Sequence, residues 1–388
     1  MSVNCIGIDS SNGSLIEVRF SAAIEGVDPW LGTVEDPPYL APGFIDLQVN
    51  GFAGVDFNSP DAPIEEIGRA IRRLFSSGVT RFFPTVITGA PEDMLAAIRN
   101  LARAREALPE GGAMEGIHVE GPFISPLEGA RGAHPARWTR PPDLEEFRRW
   151  QDAAQGAVRM VTLSPEWPEA PRFIEAVTRE GVVAAIGHTA ANTQQIADAV
   201  AAGATLSTHL GNGAQSMLPR HPNYIWDQMA EDRLAASFIV DGIHLPPNFL
   251  KVAFRAKGLE RCVLITDAVM PAGCEPGPYM LGEMEVQLHS DGSVRLRSGN
   301  TLAGSALMMH QGVSNLMRLA GLSLRDAITL ATRNPARVGR VHNRQRGLVP
   351  GDRGDLIQFR IDPETKALRI EKTWLSGREV YSAPGSKA

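Results

Sequence analysis

MEGIHVEGP, residues 114–122, is a short apolar run of strand-forming residues that ends near a carboxylate, Glu120. Seven more runs of this kind lie between residues 43 and 268: GFIDLQVNG (43–51), VTRFFPT (79–85), VRMVTL (158–163), VVAAIGH (182–188), TLSTHL (205–210), ASFIVDGIH (236–244) and CVLITDA (262–268). Longer segments of helical period separate them, which is the pattern of repeated β-α units. Eight such units close a barrel, so the expected fold is α/β, a (β/α)8 TIM-like barrel. In PIEEIGRAIRRLFSSG, Ile64, Ile67, Ile71 and Leu74 fall on one helix face and Gly78 supplies the stop. Asn192 and Ser323 stand where helix N-caps are needed, and helices are expected around 304–320 and 323–335.

Residues 1–42 and 346–388 do not follow this rhythm; they are rich in Gly, Pro and Asp and carry short β-like runs such as LIEVRF and DLIQFRI. Chain ends often lie close together, so the two pieces are expected to form one small flanking β-sandwich domain, with the barrel over 43–345. A chain of 388 residues has room for a barrel of roughly 250 residues and such a satellite.

Composition narrows the function classes. No stretch approaches the ~20 apolar residues that cross a bilayer, and the first residues lack a basic start followed by an apolar run. A net charge of -6 offers no general attraction to nucleic acid or anionic lipid. The three cysteines, Cys5, Cys262 and Cys274, form no CxxC pair and no disulfide framework, which points to a reducing, cytoplasmic setting. Lysine occurs only at 251, 257, 366, 372 and 387.

In a barrel of this kind the reactive groups come from the C-terminal ends of different strands. Glu120 ends the third run, His188 the fifth, His209 the sixth, His244 the seventh and Asp267 the eighth. A lone buried histidine is usually a hydrogen-bonded core residue, but this joint pattern is not that of isolated core residues. One carboxylate and two imidazoles make a common first shell for a catalytic divalent ion, and Glu120, His188 and His209 are that set. Such an ion lowers the pKa of its water towards about 7. Asp267 is placed to take the proton and pass it to a departing amine. His118 shares a strand face with Glu120 and is either a supporting residue or a packed core histidine.

These residues sit in PGFIDLQVNGFAGVDF, GVTRFFPTVIT, GIHVEGPF, IGHT, STHLGN, VDGIH, LITDAVMPAG and TLAGSAL, which together resemble the N-acetylglucosamine-6-phosphate deacetylases of the amidohydrolase superfamily over residues 41–340. The resemblance implies a barrel with a small β domain, a homodimer, and hydrolysis of N-acetylglucosamine 6-phosphate to glucosamine 6-phosphate and acetate. It supports Glu120, His188 and His209 as ligands of one divalent metal ion per subunit, zinc first, with iron, cobalt or manganese as alternatives. Asp267 matches the general base and acid. His134 matches a substrate contact near the reacting carbonyl, and Asn212 and Gly213 match substrate-holding positions. Arg220 matches a phosphate-binding arginine, His244 a sugar-phosphate contact that serves the neighbouring subunit, and Leu302, Ala303 and Gly304 a loop lining the sugar pocket.

Three departures refine this picture. Many amidohydrolases carry His-x-His at the end of strand one, where this chain has Gln48-Val49-Asn50, so one metal ion is expected instead of two. No lysine precedes Lys251, which excludes the carboxylated lysine that bridges two metals in urease-like and dihydroorotase-like relatives. After His209 the family often has an aromatic where this chain has Gly211, a change expected to loosen the pocket wall. The rival readings are a deacylase of another amino-sugar phosphate or N-acyl compound, and a silent barrel that binds without turnover.

Overall fold

The computed structural model describes residues 2–385; the limits set above at residues 1 and 388, and Lys387, lie outside the described residues. All eight runs form parallel strands of one eight-stranded sheet, here β1 (Phe44–Val49), β2 (Val79–Ile87), β3 (Ile117–Glu120), β4 (Val158–Leu163), β5 (Val183–Ile186), β6 (Leu206–Ser207), β7 (Ala235–Ile239) and β8 (Cys262–Ile265). Each pairs with its sequence neighbours. The ring is drawn shut past the end of β8, where Asp267 N–H donates to Gln48 O (3.1 Å) and Asn50 N–H to Ala268 O (2.7 Å). The apolar residues divide with the strand period of two. Ile45 and Leu47, Val183 and Ala185, and Val263 and Ile265 join one cluster, the barrel interior. Ala184 and Ile186, Cys262 and Leu264 turn to the surrounding helices.

Those helices follow their local signals. Ile64–Phe75 carries Glu65 and Glu66 in its first turn and Arg72 and Arg73 in its last, matching the helix dipole, and buries Ile67, Ile71 and Leu74. Asn192 caps Thr193–Ala201 through a reciprocal box with Gln195, and the Ser323 hydroxyl accepts from Asp326 N–H at 3.1 Å to start Leu324–Ala331. The two expected late helices are corrected in extent. The first runs only from Met309 to Ala320, because Leu302–Ser305 is a strand. The second is broken at Thr332, which leaves helical geometry, into Leu324–Ala331 and Arg333–Val338, with Pro335 in the first turn of the latter, where its missing N–H costs little.

Both termini meet in a separate flanking layer. Its seven strands run in the order Arg378–Ser382, Leu368–Leu375, Leu356–Ile361, Tyr39–Pro42, Val3–Asp9, Leu15–Phe20, Ile24–Pro29. Tyr39–Pro42 is the seam, antiparallel to the C-terminal piece (Leu40 opposite Gln358) and parallel to the N-terminal one (Tyr39 opposite Ile8). A second sheet, of strands Gly277–Leu281, Met284–Leu288, Ser293–Leu296 and Leu302–Ser305, lies between β8 and the Met309 helix. Sequence reading leaves that segment without strands.

Candidate active site

Three candidate residues stand just past strand ends in left-handed backbone, which L side chains rarely adopt: His188 (φ 49), His209 (φ 30) and Asp267 (φ 51). Such strained conformations collect where a side chain must be aimed, and here all three aim into the barrel mouth around Glu120. His209 Nε2 lies 2.9 Å and His188 Nε2 3.4 Å from Glu120 Oε1. The Nδ1–H of His188 donates to Ala130 O at 3.1 Å, which fixes the ring with Nε2 turned towards the carboxylate. His134 joins them more closely than sequence reading placed it: Glu120, His134 and His188 offer one ligand atom each within 4.8 Å of one another. All four side chains are buried.

Gln48 and Asn50, seen in the sequence only as missing histidines, connect this cluster to Asp267. Gln48 Nε2 donates to Glu120 Oε1 and to Asp267 Oδ1, both at 2.9 Å, and Asn50 Nδ2 donates to Asp267 Oδ1 at 2.7 Å. Neutral amides therefore tie the two carboxylates together. Thr88 is a further residue that sequence reading missed; its hydroxyl meets His134 Nδ1 at 2.9 Å. No pattern in the sequence singles out a neutral threonine at that place.

Burial works to raise the Glu120 carboxyl, and the imidazoles of His188 and His209 overturn this, holding it well below the ordinary carboxylate range. Asp267 goes the other way. Burial first, then the charge of Glu120, pushes it up to about 6, where a carboxyl can both take and release a proton near neutrality. Burial pushes His134 down to about 3, so it is a neutral imidazole. A buried carboxylate among imidazoles fits a divalent cation, and His209 Nδ1, buried with no hydrogen-bond partner among the described residues, shows a ring held for something other than its protein neighbours.

The remaining candidates divide. Gly213 (φ 55) must be glycine, since a Cβ there would stand 2.6 Å from His188 Nδ1. Asn212 closes the same turn, its N–H on His209 O at 2.9 Å. Leu302, Ala303 and Gly304 form a strand that docks beside Asp267, with Ser305 N–H donating to Asp267 O at 2.9 Å. His244 is corrected in position: β7 ends at Ile239, and His244 lies beyond it in a loop, its Nδ1 2.6 Å from Asp241 Oδ2. Arg220 sits exposed, outside the Glu120 cluster. His118 is a satisfied core histidine, bonded to Leu47 O (3.2 Å) and Thr162 Oγ1 (2.7 Å). Burial drives the thiols of Cys5 and Cys262 up to about 11 and about 12, so they are inert. The space beside Gly211 is filled from the next β-α unit: a Cβ there would stand 2.8 Å from Phe249 Cζ and 2.9 Å from Leu245 Cδ2.

A parallel barrel with a buried carboxylate-imidazole cluster at its mouth, wired to a carboxyl poised near neutrality, defines a hydrolytic enzyme with a place for a divalent cation. The family model for the amidohydrolase family matches residues 39–380, and the chain belongs to that family. It is 34% identical over 342 residues to the N-acetylglucosamine-6-phosphate deacetylase of Bacillus subtilis, covering 87% of this chain and 85% of that one. The human enzyme of the same name is 34% identical over 366 residues, covering 90% and 85%. The crystal structure of N-acetyl-D-glucosamine-6-phosphate deacetylase from Mycobacterium smegmatis superposes with a TM-score of 0.88 at 31% identity, covering 98% of this chain and 100% of that one.

Proposed function

We propose that this enzyme hydrolyses N-acetylglucosamine 6-phosphate to glucosamine 6-phosphate and acetate. The observation that carries the reading is the linked pair of carboxylates: Glu120 packed between His188 and His209, and Asp267 joined to it through Gln48. The names of the relatives supply the substrate, and the buried carboxylate among imidazoles supports the chemistry.

In this reading Glu120, His188 and His209 hold one divalent ion, zinc first, with iron, cobalt or manganese as alternatives. Such an ion supplies a Lewis acid and lowers the pKa of water towards about 7. Asp267 would take a proton from the attacking water and return it to the departing amine, a role worth about 10²–10⁴-fold. His134, held by Thr88, donates to the carbonyl oxygen as charge develops there. Asn212 and Gly213 hold the sugar, Leu302, Ala303 and Gly304 line its pocket, and Arg220 with His244 anchors the phosphate by charge-assisted bonds. The reading also takes from the family resemblance a cytoplasmic homodimer in which His244 serves the neighbouring subunit's site.

Acetate release tests this, with N-acetylglucosamine 6-phosphate run beside N-acetylgalactosamine 6-phosphate and unphosphorylated N-acetylglucosamine. Turnover of the first alone is the expected result. Turnover of another compound keeps the chemistry and moves the substrate, and no turnover of any removes the reading.

A further inference from the structure

The turn from His209 to Gly213 is held between two rings. On one side Gly213 lies so close to the His188 imidazole that a Cβ would stand 2.6 Å from Nδ1 and 2.8 Å from Cε1. On the other, Gly211 (φ 99) lies against Phe249, whose Cζ and Cε1 would stand 2.8 and 3.1 Å from a Cβ at 211, with Leu245 Cδ2 at 2.9 Å. The turn is only five residues long, and each of its two glycines is met by a ring from outside it. Within the turn, Asn212 N–H and Nδ2–H both close on His209 O, at 2.9 and 3.2 Å, so a shift at 211 is passed directly to His209 and Gly213.

Phe249 is half-buried, on the first turn of the helix Pro247–Lys257 that follows the His244 loop, and its ring packs onto the main core. It comes from a different β-α unit than Gly211, which follows β6. The chain thus has an aromatic ring beside the turn, delivered from the next unit and not from the turn itself. Glycine at 211 is the condition for that delivery, because any side chain there would collide with the ring and would sit in left-handed backbone.

We propose that Phe249 is a positioning residue for the active site: its ring braces the 209–213 turn against His188, fixing His209 as a donor and Asn212 and Gly213 as the substrate-holding segment. This rests on the reading of Asn212, Gly213 and His209 given above. The consequence is a coupled pair in which 211 and 249 contribute one aromatic wall between them.

The test combines Phe249→Ala, Phe249→Tyr, Gly211→Ala and the double variant Gly211→Ala/Phe249→Ala with two readouts. The first is steady-state hydrolysis of N-acetylglucosamine 6-phosphate by metal-loaded protein. The second is Co²⁺ affinity of the metal-free protein by chelator competition, which needs no substrate. Phe249→Ala is expected to raise KM about tenfold with a smaller change in kcat and to weaken Co²⁺ about tenfold, while Phe249→Tyr, which keeps the ring, stays within about threefold of wild type. Gly211→Ala is expected to be at least tenfold impaired alone but to add less than threefold once Phe249 is Ala. Wild-type KM and wild-type Co²⁺ affinity in Phe249→Ala, or equal losses from Gly211→Ala in both backgrounds, overturns the proposal. If wild-type protein hydrolyses none of the sugars, the substrate reading fails by itself, and the Co²⁺ arm decides on Phe249.

Discussion

A single neutral side chain links the two carboxylates of the site. Gln48 donates from one nitrogen to both Glu120 and Asp267, and hydrogen bonds to charged acceptors contribute about 1.5–3 kcal/mol each. Gln48→Leu keeps the shape and removes both donors. The expected outcome is a loss of at least tenfold in kcat/KM with metal content unchanged, measured by acetate release and metal analysis. Unchanged turnover would show that the bridge plays no part in placing Asp267. The sequence made Glu120, His188, His209 and Asp267 legible, because a titratable residue after a buried strand is an expensive thing to place without a reason. Gln48, Asn50 and Thr88 were not legible for the same reason turned around: uncharged polar residues at strand ends carry no signal until their partners are known.

At the level of elements, the strand Leu302–Ser305 shows how a segment outside the barrel's β-α rhythm supports the site. It docks on the residues just after β8, and Gly304 (φ 66) makes that approach possible, since a Cβ would stand 2.3 Å from Val269 Cγ1 and 3.1 Å from Asp267 O. Gly304→Ala is expected to destabilise the fold by about 1–3 kcal/mol and to depress turnover through the displaced Asp267 backbone, as read by thermal melting and assay. A variant as stable and as active as wild type would mean the strand can stand off without consequence. The sheet to which this strand belongs was missed, although its central hairpin is signalled. Asp291-Gly292 separates the alternating MEVQL and SVRL, which is a strong short-range hairpin cue. The barrel strands outweighed it because they are more apolar and repeated. The helix ends were legible where a side chain caps them, as at Asn192 and Ser323, and not where a tertiary contact cuts a helix short, as before Met309.

The whole molecule is joined by a buried charge cluster. Asp355, at the entry to the terminal sheet, bonds Arg81 of β2 through Nε (2.7 Å) and Nη2 (2.9 Å), and Arg344 Nη1 (2.7 Å). Arg344 also donates to Gly43 O at the start of the barrel. Removing the carboxylate takes the ion-pair partner from buried Arg344 and leaves Arg81 to Glu115 at 3.3 Å, so Asp355→Asn is expected to cost about 3–5 kcal/mol of stability by denaturant unfolding. Burial works to raise the Asp355 carboxyl, and Arg344 and Arg81 overturn this and bring it down to about 2. With the folded value below the unfolded one, near ~3.9, the stabilisation is complete above about pH 4 and is lost as pH falls through 2. Wild type should therefore lose melting temperature between about pH 4 and 2 more steeply than Asp355→Asn does. Parallel melting curves over that range would contradict it. This cluster was not legible in the sequence, since Arg81 lies 274 residues from Asp355 and nothing local marks either as the other's partner. The meeting of both termini in one sheet was legible from their shared departure from the barrel rhythm.

The most direct measurement is acetate release from N-acetylglucosamine 6-phosphate by wild type and Asp267→Asn, each loaded with zinc and checked for metal content. The account predicts that both proteins bind one ion per chain and that the variant is at least 10²-fold slower, in line with loss of a general acid-base group. Wild-type turnover in a fully metal-loaded Asp267→Asn would contradict it.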